Sequence, residues 1–282
     1  MHRPTTSIQG ILRAGGVRPF ELHRWLPAPD LADYIERHWS VRWELEEGAS
    51  FTQELLPHPC VNLVTEAGGA AVYGMPSRRA HHRLEGSGIA VGTKFRPGAF
   101  SGFVELPAPC LVDRSFTLAE LFGPAGGELE DRLLAGGPNV DAHTASVEGF
   151  LRLRIPPPDR RLGLVLEVVA DMLDVHASLN VVALARRHGI SARTLQRLFR
   201  RYIGVSPKWV LKRYRVHEAA ERIASGEAPD AARLAAELGY FDQSHLIRDF
   251  TAQVGCSPGR YAALCTASNR PHQRGPEPRL AA

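Results

Sequence analysis

The sequence predicts a two-domain α+β architecture. A β-rich, sandwich- or barrel-like amino-terminal domain with trailing helices is followed by an all-α domain in which two helix-turn-helix units are joined by a long helix. Three observations predict it. Short apolar runs recur from Phe20 to Phe95, separated by turns such as Glu46-Glu-Gly-Ala49, Glu66-Ala-Gly-Gly69 and Glu85-Gly-Ser-Gly88. From Ala108 to Ile155 the pattern turns helical, until Ile155-Pro-Pro-Pro-Asp159 breaks it. The stretch Val181–Leu264 then carries one helical pattern twice. The expected bounds are 1–157 for the first domain, 160–266 for the second and 267–282 for a disordered tail rich in Pro, Arg and Gly.

In chain order, residues 1–17 are expected to be flexible. Phe20–Leu26 reads as a strand running into Pro27-Ala-Pro29, and Asp30 begins a short helix (Leu31, Tyr34 and Ile35 inward) ending at His38-Trp39. Trp39–Trp43 alternates like a strand. Phe51–Leu56, Val61–Val64, Ala70–Tyr73, His82–Leu84 and Ile89–Phe95 complete the set. Many short strands suit a sandwich or a small barrel, which can enclose one small ligand. Helices follow over Leu118–Phe122, Glu128–Leu134 and Val140–Arg154, and past the Pro-rich linker an amphipathic helix over Leu162–Val175 opens the second domain.

There, Asn180 can cap a helix that buries Val181, Leu184 and Ala185. Ser191 can cap another that buries Leu195, Leu198 and Phe199, and His188-Gly189-Ile190 is the turn between them. The second helix leaves Arg193, Gln196, Arg197, Arg200 and Arg201 outward, residue types that read guanine and adenine edges and clamp phosphates. Such a face also suits a plain solvated hairpin. The repeat argues against that. After Ser206-Pro207 a helical run, Lys208–Ser225, reaches the breaker Gly226-Glu-Ala-Pro229. Asp230 caps a helix with Ala232, Leu234, Ala235 and Leu238 inside, and Gly239-Tyr240-Phe241 makes the second turn. Asp242 caps the last one, with Leu246, Ile247 and Phe250 inward and Gln243, Ser244, His245 and Arg248 outward. Gly255-Cys-Ser257-Pro258 echoes Gly204-Val-Ser206-Pro207.

Charge follows the same division. From Arg160 onward there are 19 Lys and Arg against 11 Asp and Glu, whereas the 159 residues before hold 15 against 19. Between Val175 and His217 lie ten basic residues and no acid: Arg186, Arg187, Arg193, Arg197, Arg200, Arg201, Lys208, Lys212, Arg213 and Arg215. A stripe of this kind is the footprint of a phosphate-backbone binder.

Val181–Leu264 resembles the twin helix-turn-helix domain of the AraC/XylS family of bacterial transcription regulators. The resemblance is carried by Leu184-Ala185, Ser191, Leu195-Gln196-Arg197-Leu198-Phe199, Gly204, Ser206-Pro207, Ala235, Gly239-Tyr240, Gln243-Ser244, Phe250, Gly255, Ser257-Pro258 and Tyr261. Glu54–Val64 and Val91–Phe100 resemble, less closely, the cupin-like sensor domains joined to this module in part of the family. The resemblance implies a transcription factor that binds operator DNA, answers a small-molecule effector and contacts RNA polymerase, and it implies helices that pair two subunits into a homodimer. It places Arg193, Gln196 and Arg197 on base edges in the first unit, and Gln243, Ser244, His245 and Arg248 in the second. Arg200, Arg201, Lys208 and Lys212 fall to phosphates, which carry affinity without sequence information. The second unit is the less basic, with Asp242 and Asp249 expected near the DNA side.

Other chemistries find little support. His58, Cys60 and Glu66 fit a cupin metal site poorly, because it wants His-x-His, a closer Glu and a later His; His81-His82 adds imidazoles without the spacing. No metal or cofactor is expected. Arg96 beside Pro97-Gly98 suits either an anionic effector or the carbonyls of its own turn. Trp25, Trp39, Trp43 and Phe95 suit either a pocket or plain core. A Gly-rich phosphate loop, a Gly-x-Ser-x-Gly elbow and a His-Glu-x-x-His helix are all absent, so no residue is assigned to catalysis. The alternative reading is an enzyme with a small-molecule barrel and an accessory DNA-binding module. Cys60, Cys110, Cys256 and Cys265 are scattered, which suits a reducing compartment. With no apolar signal core and no run near the about eighteen residues of a membrane span, a cytoplasmic protein without a membrane partner is expected.

Overall fold

The computed structural model describes residues 11–12, 19–173, 180–228 and 230–268. The flexible start expected over 1–17 lies outside them except for Ile11 and Leu12, and the tail expected over 267–282 lies outside except for its first two residues. Ile11 and Leu12 are tied down: Ile11 bridges to Leu55, and Leu12 donates its N–H to the Glu54 carbonyl at 3.1 Å.

The strands are β1 (Phe20–Trp25), β2 (Ile35–Glu44), β3 (Ser50–Leu55), β4 (Asn62–Glu66), β5 (Gly69–Tyr73), β6 (Ala80–Glu85), β7 (Ser87–Phe95) and β8 (Ser115–Thr117). An antiparallel sheet runs β1-β2-β7-β4-β5-β8, and β3 pairs separately with β6. The helix expected from Asp30 to His38 is only a 3₁₀ turn, Pro29–Leu31, and β2 already begins at Ile35. Leu31 and Ile35 mimic a helical pair because both reach one core, one from the turn and one from the strand. Backbone pairing decides between the two: Ile35 faces Phe95 and His38 faces Thr93 across β7. Strand β8 was not expected; at three residues, with only Phe116 buried, it is too short to show a period.

One face of the sheet is covered by α1 (Leu118–Phe122), α2 (Pro124–Ala135) and α3 (Val140–Arg152). Leu63, Val72, Phe95, Phe116, Leu129, Val147 and Phe150 form the core between them. Each such side chain contributes about 1.5–3 kcal/mol by leaving water. Thr117 and Glu120 cap α1 reciprocally, and Asn139 caps α3. On the other face Trp39 and Trp43 lie across Gly92 and Gly88, so closely that a Cβ on Gly92 would fall 2.2 Å from the indole. Larger residues have no room there.

The second domain comprises α4 (Arg160–Leu173), α5 (Val181–Arg187), α6 (Ala192–Tyr202), α7 (Pro207–Ser225), α8 (Ala231–Glu237), α9 (Gln243–Val254) and α10 (Pro258–Ser268). Helix α7 serves two cores. Val210, Leu211 and Tyr214 join that of α4–α6, and Val216, Ala219, Ala220 and Ile223 join that of α8–α10. The sequence separated the domains by a linker, but the two are docked. Arg213, 1% exposed, donates to the carbonyls of Pro57 (3.3 Å) and Ser77 (2.6 Å). His217 stacks on His58 with ring centroids 4.1 Å apart, and Arg79 donates to the Val254 carbonyl at 3.2 Å.

Candidate nucleic-acid interface

Each unit is built as its caps dictate. In the first, the Asn180 side chain accepts from Ala183 N–H and that of Ser191 from Thr194 N–H. In the second, Asp230 accepts from Ala232 and Arg233, and Asp242 from His245. Ser206 caps the connecting helix, with Pro207 in its first turn. Gly189 and Gly239 turn the chain at φ 66° and 69°, a left-handed conformation that glycine adopts without a Cβ clash.

The recognition helices bury one stripe each: Leu195, Leu198, Phe199 and Tyr202 on α6, and Leu246, Asp249, Phe250 and Val254 on α9. On α6 the structure leaves Arg193, Gln196, Arg197, Arg200 and Arg201 exposed together, and Lys208 is exposed at the start of α7. On α9 it leaves Gln243, Ser244 and Arg248 exposed, with His245 half-buried. The His245 ring packs edge-on against Tyr240, centroids 5.2 Å apart, and its Nε2 lies 3.5 Å from Asp249 Oδ2.

Two expectations about charge need correction. Asp249 does not face outward: it is 6% exposed, and its Oδ1 lies 2.8 Å from Lys212 Nζ. Lys212, expected at a phosphate, is thus already paired within the fold. The acid-free stretch is also not one surface. Arg213 points into the first domain, where burial pulls its pKa down to about 10, leaving it charged at neutral pH. Arg215 lies 5.5 Å from the Tyr240 ring centroid and is half-buried. Nothing in spacing or composition separates these cations from the exposed ones; only their positions around the connecting helix do.

The first unit also borders the first domain. A cleft of about 870 Å³ runs between them, its lining including Tyr34, Leu106, Pro157, Arg197, Arg200 and Arg201. The end of α6 is in contact there: a Cβ on Gly204 would fall 2.7 Å from the Ala108 carbonyl, and one on Gly98 would fall 3.2 Å from Tyr202. Tyr202 hydroxyl donates to Asp159 in the linker.

In the first domain, the imidazoles weighed for metal are engaged separately. His58 stacks on His217, His82 lies 3.5 Å from Glu66, and His81 lies 3.8 Å from Glu54. Burial pushes the Cys60 thiol up to about 11, which disfavours a thiolate. Arg96 does not hold its own turn: its Nε donates to the Ala32 carbonyl at 2.6 Å, across to the end of the Pro29–Leu31 turn. Trp25 donates to Thr144, Trp39 to Asn62 and Trp43 to the Glu85 carbonyl, while Phe95 is core. A buried network was missed by sequence reasoning. His38 sits between Thr93 (2.9 Å) and Glu148 (3.2 Å), and His143 meets Thr65 at 2.9 Å. Its partners are more than fifty residues apart in the chain, so no local pattern announces it.

Two stretches of the chain match known families. Residues 23–117 match a family described as a domain of unknown function (DUF6597), and residues 184–263 match a family described as a helix-turn-helix domain. A protein of Streptomyces antibioticus named as an AraC-like transcription regulator is 35% identical over 104 residues, which are 35% of this chain. The chain spans about a third, 34%, of that relative's length. Among solved structures, the DNA-binding domain of the global transcriptional factor AdpA, solved in complex with a target DNA, is 30% identical over 37% of this chain and 95% of that one (TM-score 0.35). An apo form of ToxT from Vibrio cholerae is 10% identical over 89% of this chain and 99% of that one (TM-score 0.40). Residues 184–263 are a helix-turn-helix domain, similar in part to that AraC-like regulator, and they follow a sheet-rich domain that matches a family described as of unknown function.

Proposed function

We propose that the chain is a transcription regulator that reads double-stranded DNA with two helix-turn-helix units. The observation that carries this is the exposed face of α6, where Arg193, Gln196, Arg197, Arg200 and Arg201 stand together above a buried apolar stripe, repeated in less basic form on α9. Gln196 and Gln243 suit bidentate pairing with adenine, and Arg197 and Arg248 with guanine. Arg200, Arg201 and Lys208 suit the phosphates that position the protein. The 19 residues of α7 span about 28 Å at 1.5 Å per residue. Readers held apart on that scale enter successive major grooves of one duplex face, which repeat at about 34 Å.

The sheet-rich domain acts as the sensor of a small-molecule effector. Its contacts with α7 through Arg213 and His217, and with the end of α6, are the route by which a change in the sensor reaches the readers. RNA polymerase and a second copy of the chain are the partners such a regulator needs, and the cytoplasm is where it meets DNA. No helix among the described residues is long and apolar enough to cross a membrane.

Selection from a random duplex library with the full chain, at one near-physiological salt concentration, tests the reading. The expected result is a bipartite motif with boxes about one helical turn apart. Weak binding without sequence preference, unchanged by candidate metabolites, would sink it.

A further inference from the structure

We infer that Phe241 is a base-reading residue of the second unit, its ring packing on the C5 methyl of a thymine in the major groove. The inference rests on the DNA-reading function proposed above. The backbone aligns the two turns. In the first, Gly189 N–H donates to the Arg186 carbonyl and Ile190 N–H to that of Ala185, and the cap Ser191 follows at once. In the second, Gly239 N–H donates to Ala236 and Tyr240 N–H to Ala235, at the same offsets, but the cap Asp242 comes one residue later. Phe241 is the inserted residue. Tyr240 takes the place of Ile190 and is 7% exposed, whereas Phe241 is 93% exposed.

An apolar residue just before an N-cap ordinarily packs on the fourth residue of its helix. Here that residue is Leu246, already fully buried, and the exposure of Phe241 leaves no room for such a contact. The ring therefore does no packing in the fold. It stands at the end of α9 that also presents Gln243 and Ser244, and the first residues of a recognition helix are those that touch base edges. Apolar contact with the thymine methyl is one of the direct readouts of the major groove, and Phe makes it. The unit has reason to use it: Arg248 is the single Lys or Arg on α9, and nearby Lys212 is bound to Asp249.

The test compares the full chain with F241A in the same library selection. It then titrates the selected operator with thymines of the second box replaced one at a time by deoxyuridine, which lacks the methyl. F241A should lose a thymine preference at one position of the second box and keep the first box. Deoxyuridine there should weaken the wild-type chain about fourfold, the fold-change for one buried methyl, and F241A by less than about twofold. Phe241→Leu, which keeps an apolar contact, should retain the preference. A bipartite motif that F241A reproduces at equal affinity overturns this assignment alone, as does equal weakening on every sequence. F241A that keeps motif and affinity but loses polymerase-dependent transcription assigns the ring to a protein partner instead, and also overturns it. A wild-type chain that selects no motif overturns the DNA-reading function, and this inference with it.

Discussion

The two helix-turn-helix units are built on the same caps, turns and buried stripes, yet they spend their surfaces differently. The first exposes four arginines on α6 and leans on the sheet-rich domain at Gly98, Ala108 and the linker. The second exposes Arg248 alone among Lys and Arg on α9, binds Lys212 to a buried Asp249, and presents Phe241. Contacts to phosphate carry an affinity that falls with salt and is blind to sequence, whereas contacts to base edges distinguish sequences at short range. The difference thus divides the labour. On the proposed reading, the first unit adds phosphate attraction to its own base contacts and borders the sheet-rich domain, while the second relies on base contacts with little phosphate attraction.

The largest effects come from breaking each unit separately. Phe199 and Phe250 are both fully buried but belong to different cores, so alanine at either should cost about 3–5 kcal/mol in denaturant unfolding. Hydrogen exchange should then show the amides of α8–α10 opening first in Phe250→Ala, and those of α5 and α6 in Phe199→Ala. If both variants open all these amides together, the units are one cooperative body and their separation is lost.

Acid tests what they share. His217 lies on the connecting helix, stacked on His58; burial first, then the charges of Arg213 and Lys94, hold its pKa down to about 3. Burial likewise holds His143 down to about 4. Unfolding returns both to about 6.5, so the unfolded chain takes up protons that the folded chain refuses. Their stability contribution is complete above about pH 6.5 and is lost as pH falls toward 4 and then 3, at up to about 1.4 kcal/mol per pH unit for each ring. Denaturation against pH should show this slope, and His217→Gln should flatten it. A His217→Gln profile that parallels the wild type would mean that the stack is not what acid attacks.

Of intermediate size is the contrast between the two arginines proposed to read bases. Arg197→Ala should weaken operator binding by roughly 1–3 kcal/mol, and Arg248→Ala by less, because Arg197 stands among other exposed cations and Arg248 does not. Equal losses in a titration at fixed salt would erase the proposed asymmetry.

How much of this could be read in the chain follows the range of the interactions. Caps at Asn180, Ser191, Asp230 and Asp242, and the buried stripes they precede, are local, and the sequence places them where the structure has them, except that Ala232, expected inside, lies exposed in the first turn of α8. Ile35 was misplaced because its strand partner Phe95 lies sixty residues on, beyond any window of periodicity. The cations Lys212 and Arg213 look identical to Arg200 in sequence. Only tertiary packing sends one to Asp249 and the other to Pro57 and Ser77. Phe241 is the reverse case: in the sequence it is one more turn residue, and only the aligned backbone bonds of the two turns show it to be an insertion, with its ring exposed.

The smallest expected effect is also the most selective. Asp249→Asn keeps the shape of the buried side chain but removes the charge that holds Lys212, whose ammonium lies 2.8 Å away. Lys212 is part-exposed and one turn beyond Lys208 on α7, so a freed ammonium can turn toward the backbone that Lys208 is placed to meet. One added phosphate contact should steepen the dependence of log K on log salt by about 0.9, while the second-box motif stays unchanged because phosphate contacts carry no base information. Binding at low salt should rise accordingly, at the cost of a modestly lower melting temperature. An unchanged salt slope with the same fall in stability would mean that Lys212 belongs to the fold alone. The weak charge of the second unit would then come from the residues on α9, not from the pairing that Asp249 imposes.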